Sequence, residues 1–371
     1  MKYRLTLLLL AVFATHGLYS QKLVRHEVNF PNPDGYLTLK CDFHIHTVFS
    51  NGMVWPTIRV EEAWMEGLDC IAFTDHLEYH TFDTDVVYND NRAYDLALSH
   101  AAQYNMVLIR GTEITRSKPL GHFNAIYTSD NNAIRVPDSL QSIAIANQQN
   151  AFVIWNHPGE DAGNFGEVQE KLLKLGHFKG IEVANHNTYY PNAQQWCMDR
   201  NLTMIATSDV HNPITFDYDF EKGEHRPMTL VFAREKSSEA IRDALLNRRT
   251  VVYWKDKLIG REEFLKPLFE KSVVAQNAPF TFKKGVRNKS FLFIRNNSDA
   301  PLQLTLNNTN AELKIGKKVM VKPNGITAIP IEYKSTETGE RKIIIPVSVE
   351  NYLISPSSSL TSEISISLKV E

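Results

Sequence analysis

The chain has 371 residues, 43% of them hydrophobic and 22% charged, with a formal net charge of -2. That length suits two domains with a full apolar core. The near-neutral balance gives no global field for nucleic acid, and three cysteines exclude a disulfide scaffold. Residues 1–21 read as a targeting segment. Lys2 and Arg4 precede the apolar run from Leu5 to Phe13, and a cleavage zone falls near Ser20-Gln21. The run is too short to span a bilayer, and no later stretch approaches that length. The expected mature protein is therefore exported, periplasmic or secreted, with no transmembrane segment once the leader is removed. Cys41, Cys70 and Cys197 read as small apolar core residues, with Cys41 and Cys70 as candidate neighbours.

After a lead-in with the turn signal Pro31-Asn32-Pro33-Asp34-Gly35, strand and helix patterns alternate to about residue 255. Strands are expected at 37–43, 70–74, 106–111, 122–127, 151–155, 180–184, 203–207, 229–233 and 250–254. Helices are expected at 57–66, 91–104, 140–149, 167–175, 191–200 and 237–247, the first stopped by Gly67. Repeated units of this length predict an α/β sheet or barrel. Residues 262–274 read as a linking helix. Short β-rich segments with turn residues between them then predict a small β-sandwich, with 355–359 as a solvated loop.

Polar residues of one kind recur at strand ends, the edge where α/β barrels build their sites. His44 and His46 flank Ile45 and project together from an extended strand. Two imidazoles on one face are either half a metal site or a surface hydrogen-bonding pair. Thr74-Asp75-His76, Gly111-Thr112-Glu113, Gly121-His122, Asn156-His157-Pro158 and Asp209-Val210-His211 follow, each against an apolar run. Histidines and carboxylates converging from separate strands are what a hydrolytic metal site needs, and phosphate esters are its natural substrates.

In this order the motifs resemble the PHP (polymerase and histidinol phosphatase) family over residues 38–255. The stretch Phe43-His44-Ile45-His46-Thr47-Val48-Phe49-Ser50, with Val54-Trp55-Pro56, is similar to the exported phosphodiesterase branch called Sb-PDE. The resemblance implies a distorted (β/α)7 barrel over residues 22–258, a linker over 259–278 and the β-sandwich-like domain over 279–371. It implies two to three divalent ions, Mn, Zn or Fe. His44, His46, Glu113 and Asp209 would hold the first. Glu113 would bridge to a second at His122 and His157, and His76 and His211 would hold a third. The family usually has an acidic residue or histidine where this chain has Asn51, a poorer ligand. The implied reaction is hydrolysis of a small phosphodiester by a metal-bridging hydroxide, with Asp209 in the metal cluster and His211 or His76 as proton donor. A phosphomonoesterase and a non-catalytic metal-binding barrel are the alternatives.

Other residues carry two readings each. Asp75 is expected to orient a ligand rather than bind metal. Asn156 is a candidate helix cap. Arg116 is either a phosphate clamp or a surface charge. Trp55 and Tyr79 either line a pocket or join the core. His80, His186 and His225 read as solvated. A small phosphoester is the expected partner, nucleic acid is not, and a homodimer stays open.

Overall fold

Short buried strands organise the first half of the chain. The computed structural model describes residues 23–159, 165–276 and 280–371, and the expected targeting segment lies outside them. β1 (Leu37–Asp42), β2 (Cys70–Phe73) and β3 (Val107–Ile114) pair in parallel. β4 (Phe123–Ile126) runs antiparallel to both β3 and β5 (Phe152–Trp155). β6 (Gly180–Asn185) is parallel to β5 and turns back through β7 (Thr188–Tyr189). β8 (Thr203–Thr207) is parallel to β6. On the far side of β1, β9 (Met228–Ala233) is antiparallel to β1 and to β10 (Thr250–Trp254), which forms a hairpin with β11 (Lys257–Gly260).

Threonine hydroxyls close this sheet into a barrel. Thr229 Oγ1 accepts from Ala206 N at 2.9 Å and donates to Ala206 O at 2.8 Å, and Thr250 Oγ1 donates to Met204 O at 2.8 Å. The expected α/β barrel is present, and its distortion is the antiparallel course of β4 and β9.

The helices are α1 (Pro56–Met65), α2 (Arg92–Gln103), α3 (Ser139–Gln148), α4 (Glu167–Lys174), α5 (Pro191–Asp199), α6 (Ile214–Asp217), α7 (Ser238–Leu246) and α8 (Glu262–Ser272). Local chemistry sets their ends. Pro56 opens α1, where its missing N–H costs nothing. Gly67 closes it at φ +84, where a Cβ would lie 2.4 Å from His26 O, so only glycine fits. Asp138 caps α3 and Ser237 caps α7 through side-chain oxygens.

Beyond α8 the chain is a β-sandwich. One sheet holds β12 (Val273–Gln276), β14 (Asn288–Asn296), β16 (Leu313–Ile315) and β18 (Ile326–Tyr333). The other holds β13 (Phe280–Phe282), β15 (Leu302–Leu306), β17 (Lys318–Val321), β19 (Gly339–Ser355) and β20 (Ser358–Val370). The expected loop at 355–359 is instead the tight turn of the β19–β20 hairpin, with Ser355 opposite Ser358. Serine sits as easily at a strand end as in a loop, so composition misled there.

The two halves share a sheet and a core. β11 pairs in parallel with β19, placing Leu258 against Tyr352 and Ile259 against Leu353. Asn351 Nδ2 donates to Asp256 O and Pro301 O, each at 2.7 Å. Tyr352 packs edge-on against Phe269 of α8. Cys41 and Cys70 are register neighbours, and all three cysteines are buried and unpaired. No helix among the described residues is long and apolar enough to cross a membrane.

Candidate metal centre

All eight expected ligand residues meet at one end of the barrel. His44 and His46 leave β1 with Ile45 turned into the core between them. His76 follows β2, Glu113 lies in β3, His157 follows β5, and Asp209 and His211 follow β8. His122 precedes its strand, yet it reaches the same end because β4 runs antiparallel to its neighbours. A cavity of about 340 Å³ is lined by Asn51, His76, Tyr79, Glu113, His122, His157, Asp209 and His211. His44 and His46 are buried behind it.

Four donor atoms lie close together around the His44–His46 pair. His44 Nε2 lies 3.0 Å from His46 Nε2, 3.4 Å from Glu113 Oε2 and 3.2 Å from Asp209 Oδ1. His46 Nε2 lies 3.5 Å from Glu113 Oε2 and 3.1 Å from Asp209 Oδ1. Donors held by one ion at bonds of about 2.0–2.2 Å lie about 3.3–3.6 Å apart in tetrahedral geometry, and these pairs fall at or slightly inside that spacing. Asp209 Oδ1 is buried and accepts no hydrogen bond despite these neighbours, as an atom reserved for a cation would.

Glu113 divides its oxygens between two groups. Oε2 faces His44 and His46, while Oε1 lies 3.2 Å from His122 Nδ1 and 3.6 Å from His157 Nε2. One carboxylate so placed is able to reach two ions at once. His46, His76 and His211 make a further group of donors able to share an ion. Their rings stack, His46 lying 4.4 Å from His76 and 4.1 Å from His211 between centroids.

Without a cation, protons respond to the same field. Burial alone would raise both carboxyls. His76 and His44 nevertheless hold Glu113 well below the usual carboxylate range, and His44 and His46 do the same for Asp209. Burial opposes charge on His44 and His157, but the carboxylates prevail. His44 is raised well above its ordinary value and His157 to about 9. His46 goes the other way, lowered by burial and by His211 and His76.

A crystal structure of a two-domain protein from Bacteroides vulgatus decides the family. That protein, described as containing a predicted PHP-like metal-dependent phosphoesterase, matches with 43% identity and a TM-score of 0.84, over 94% of this chain and 100% of its own. The chain belongs to the PHP-like metal-dependent phosphoesterase family.

Two further solved structures match about half of this chain at low identity. One is from Bifidobacterium adolescentis, described as a metal-dependent phosphoesterase (16% identity, TM-score 0.39, 47% of this chain and 89% of that one). The other is an amidohydrolase from Chromobacterium violaceum with bound sulfate and no metal (15%, 0.36, 47% and 88%). Residues 276–365 match the Ig-like domain family, in the region of the sandwich. No curated protein matches the chain.

Around the PHP-like donors stands a set of buried residues, and the most connected of them belongs to no motif. Glu182, on β6, accepts His44 Nδ1 at 2.8 Å, Thr207 Oγ1 at 2.6 Å, His157 N at 2.7 Å and Asn185 Nδ2 at 2.9 Å. In the neutral ring the His44 proton is thereby fixed on Nδ1, which leaves the Nε2 lone pair for an ion. Arg59 is the second such residue. From α1 it donates to the carbonyls of His46, Asn212 and His211 at 2.9, 2.7 and 2.7 Å, strapping two ligand loops together. Arg226 and Ser208 meet at buried Asp42, which also receives His44 N. The signal for Glu182 and Arg59 was a charge inside an apolar run, here Gly180–Ala184 and the Val60 side of α1.

The remaining expectations resolve one by one. Asp75 accepts Thr47 N, Thr47 Oγ1 and Ser50 Oγ, each at 2.7 Å, and Ser50 Oγ lies 3.4 Å from His46 Nδ1. Asn156 caps no helix. Its amide donates to Glu113 Oε1 and Asn124 Oδ1, both at 2.9 Å, and so orients the Glu113 carboxylate. Arg116 is ion-paired with Glu78 and does not line the cavity. Asn51 and Tyr79 do line it, whereas Trp55 packs near Phe49. His80 bonds the carbonyls of Phe49 and Leu77, and His225 those of Arg226 and Lys255. His186 forms the β6–β7 turn at φ +46.

Proposed function

We propose that this protein hydrolyses small phosphodiesters outside the cytoplasm with two to three divalent ions. The observation that carries the reading is the bridging Glu113, with one oxygen toward His44 and His46 and the other toward His122 and His157. Ions held by these residues and Asp209, with a further one at His76 and His211, would supply an acidified water and positive charge against the phosphoryl oxygens.

The chain's own groups supply position and proton control. Glu182 and Asn156 hold His44 and Glu113 in the orientations that face the cavity. His211 donates from Nδ1 to Asp209 O at 2.8 Å, so Nε2 is its free nitrogen. That nitrogen takes an ion or, where none occupies it, carries a proton for the leaving oxygen. His76 Nδ1 is likewise engaged, by Thr115 Oγ1 at 2.7 Å and Glu113 Oε2 at 2.8 Å, so its Nε2 is the alternative donor.

The diester reading is supported by charge. No Lys or Arg lines the described cavity, so nothing beyond the ions and imidazoles would neutralise a dianionic monoester. The likeness to the Sb-PDE branch points the same way. Export is supported by the charged start and short apolar run of residues 2–13.

The test compares bis(p-nitrophenyl) phosphate with p-nitrophenyl phosphate on metal-loaded and chelator-treated protein. Faster, metal-dependent release from the diester is expected. Preference for the monoester would make the protein a phosphatase, and no turnover of either would leave a binding barrel. Metal content per chain gives the number and identity of the ions. N-terminal sequencing of the mature protein, expected to begin near residue 22, tests export.

A further inference from the structure

Tyr79 is exposed where an apolar ring has most reason to hide. It lines the metal cavity, its ring stands edge-on to His76 at 5.2 Å between centroids, and 53% of the residue is accessible. An aromatic side chain held half in water beside polar ligands forfeits much of the benefit of burial.

Its loop is pinned on both sides. Glu78 accepts Thr115 N at 3.1 Å and pairs with Arg116, which also donates to Thr115 O at 2.7 Å. His80 is fixed to Phe49 O and Leu77 O at 3.1 and 3.0 Å, and the ring of Tyr88 stands against it at 4.0 Å. Thr81 N donates to Ser50 O at 2.9 Å, joining this loop to the one that carries Asn51. The residues on either side of Tyr79 are thus spent on holding the backbone. The backbone that presents the ring to the cavity is already held, so no loop ordering is needed when a ligand packs on the ring.

Apolar groups continue along the adjoining loop. Met53, whose N–H donates to His211 O at 2.7 Å, is 59% exposed, and Trp55 is 44% exposed. The cavity beside them offers no lysine or arginine that would hold a second phosphate or a carboxylate.

We propose that Tyr79 is a substrate-positioning residue whose ring packs on an aromatic or similarly flat apolar ester group of a monoanionic phosphodiester. The inference rests on the phosphoesterase reading and adds the class of organic group that the site selects. Arg116 contributes through the Glu78 strut rather than by touching phosphate.

Diphenylphosphinate and diethylphosphinate test this on the full, metal-loaded chain. Both carry one negative charge, and their P–C bonds are not hydrolysed. Calorimetry is expected to show at least tenfold tighter binding of the diphenyl compound. Tyr79→Ala should remove most of that preference while leaving diethylphosphinate affinity within about threefold, and Tyr79→Phe should keep the preference, since the ring rather than the hydroxyl makes the contact. Metal content should be the same in all three proteins. Equal affinity of the two compounds for the unaltered protein overturns the proposal. So does an unchanged preference in Tyr79→Ala, or a loss of metal, which would make the ring a prop for His76. Failure of the phosphoesterase reading is separate and shows as no turnover of any phosphoester by the unaltered protein.

Discussion

Glu182 Oε1 receives the Nδ1 proton of His44 across 2.8 Å, with both side chains fully buried. This pair lies 138 positions apart in sequence and fixes which nitrogen of the imidazole would face an ion. Replacing Glu182 by glutamine leaves one acceptor oxygen for four donors, so at least two lose their partner. Glu182→Gln is expected to weaken metal binding by about 10–100-fold while the fold persists. Competition with a chromogenic chelator, alongside circular dichroism, measures both.

Metal binding should release protons, and the pH dependence has a definite sign. In the metal-free protein His157 is held at about 9 against an ordinary 6.5. Near pH 7 it is an imidazolium that must lose its proton to bind an ion. Apparent metal affinity should therefore rise with pH through about 9 and then flatten at this group. The stability contributed by the imidazolium is complete below about 6.5 and is lost as pH rises through about 9. The gap in melting temperature between metal-loaded and stripped protein should thus widen from pH 7 to pH 9. Calorimetric titrations in buffers of different ionisation enthalpy count the protons released.

Asn51 stands in the cavity beside His76 and His211 with a neutral amide oxygen. Asn51→Asp adds a charge where the third group of donors has none. Higher metal content per chain, or slower loss to chelator, is the expected outcome. Unchanged content and unchanged turnover would remove Asn51 from that group.

Tyr352 is buried in the joint core between α8 and the sandwich. Tyr352→Ala should cost about 3–5 kcal/mol, the range for large aromatic truncations. Because Leu258, Phe269 and Tyr352 belong to one core, unfolding should remain a single transition in which metal release and loss of sheet structure coincide. Scanning calorimetry with a metal-sensitive dye tests this.

The convergence of these side chains was legible because strand periodicity puts His44 and His46 on one face, and strand ends carry the rest. His122 looked misplaced at the start of its strand until β4 proved antiparallel, a property of pairing that no local pattern encodes. Glu182 and Arg59 were hidden for a different reason. Their partners are distant in sequence, and a single charge in an apolar run has no spacing to read. Arg116 showed its charge but not its partner, since Glu78 lies 38 residues before it. The sandwich was visible as a texture of short strands, whereas its union with the barrel through Leu258 and Tyr352 was not.

That union has a mechanical consequence. With β11 and β19 laced into one sheet, the halves have no pivot about which to swing, since rotation would tear the ladder and open the core beneath it. Access to the ions must then be governed by the small loops at the barrel mouth, with the C-terminal half acting as a fixed buttress.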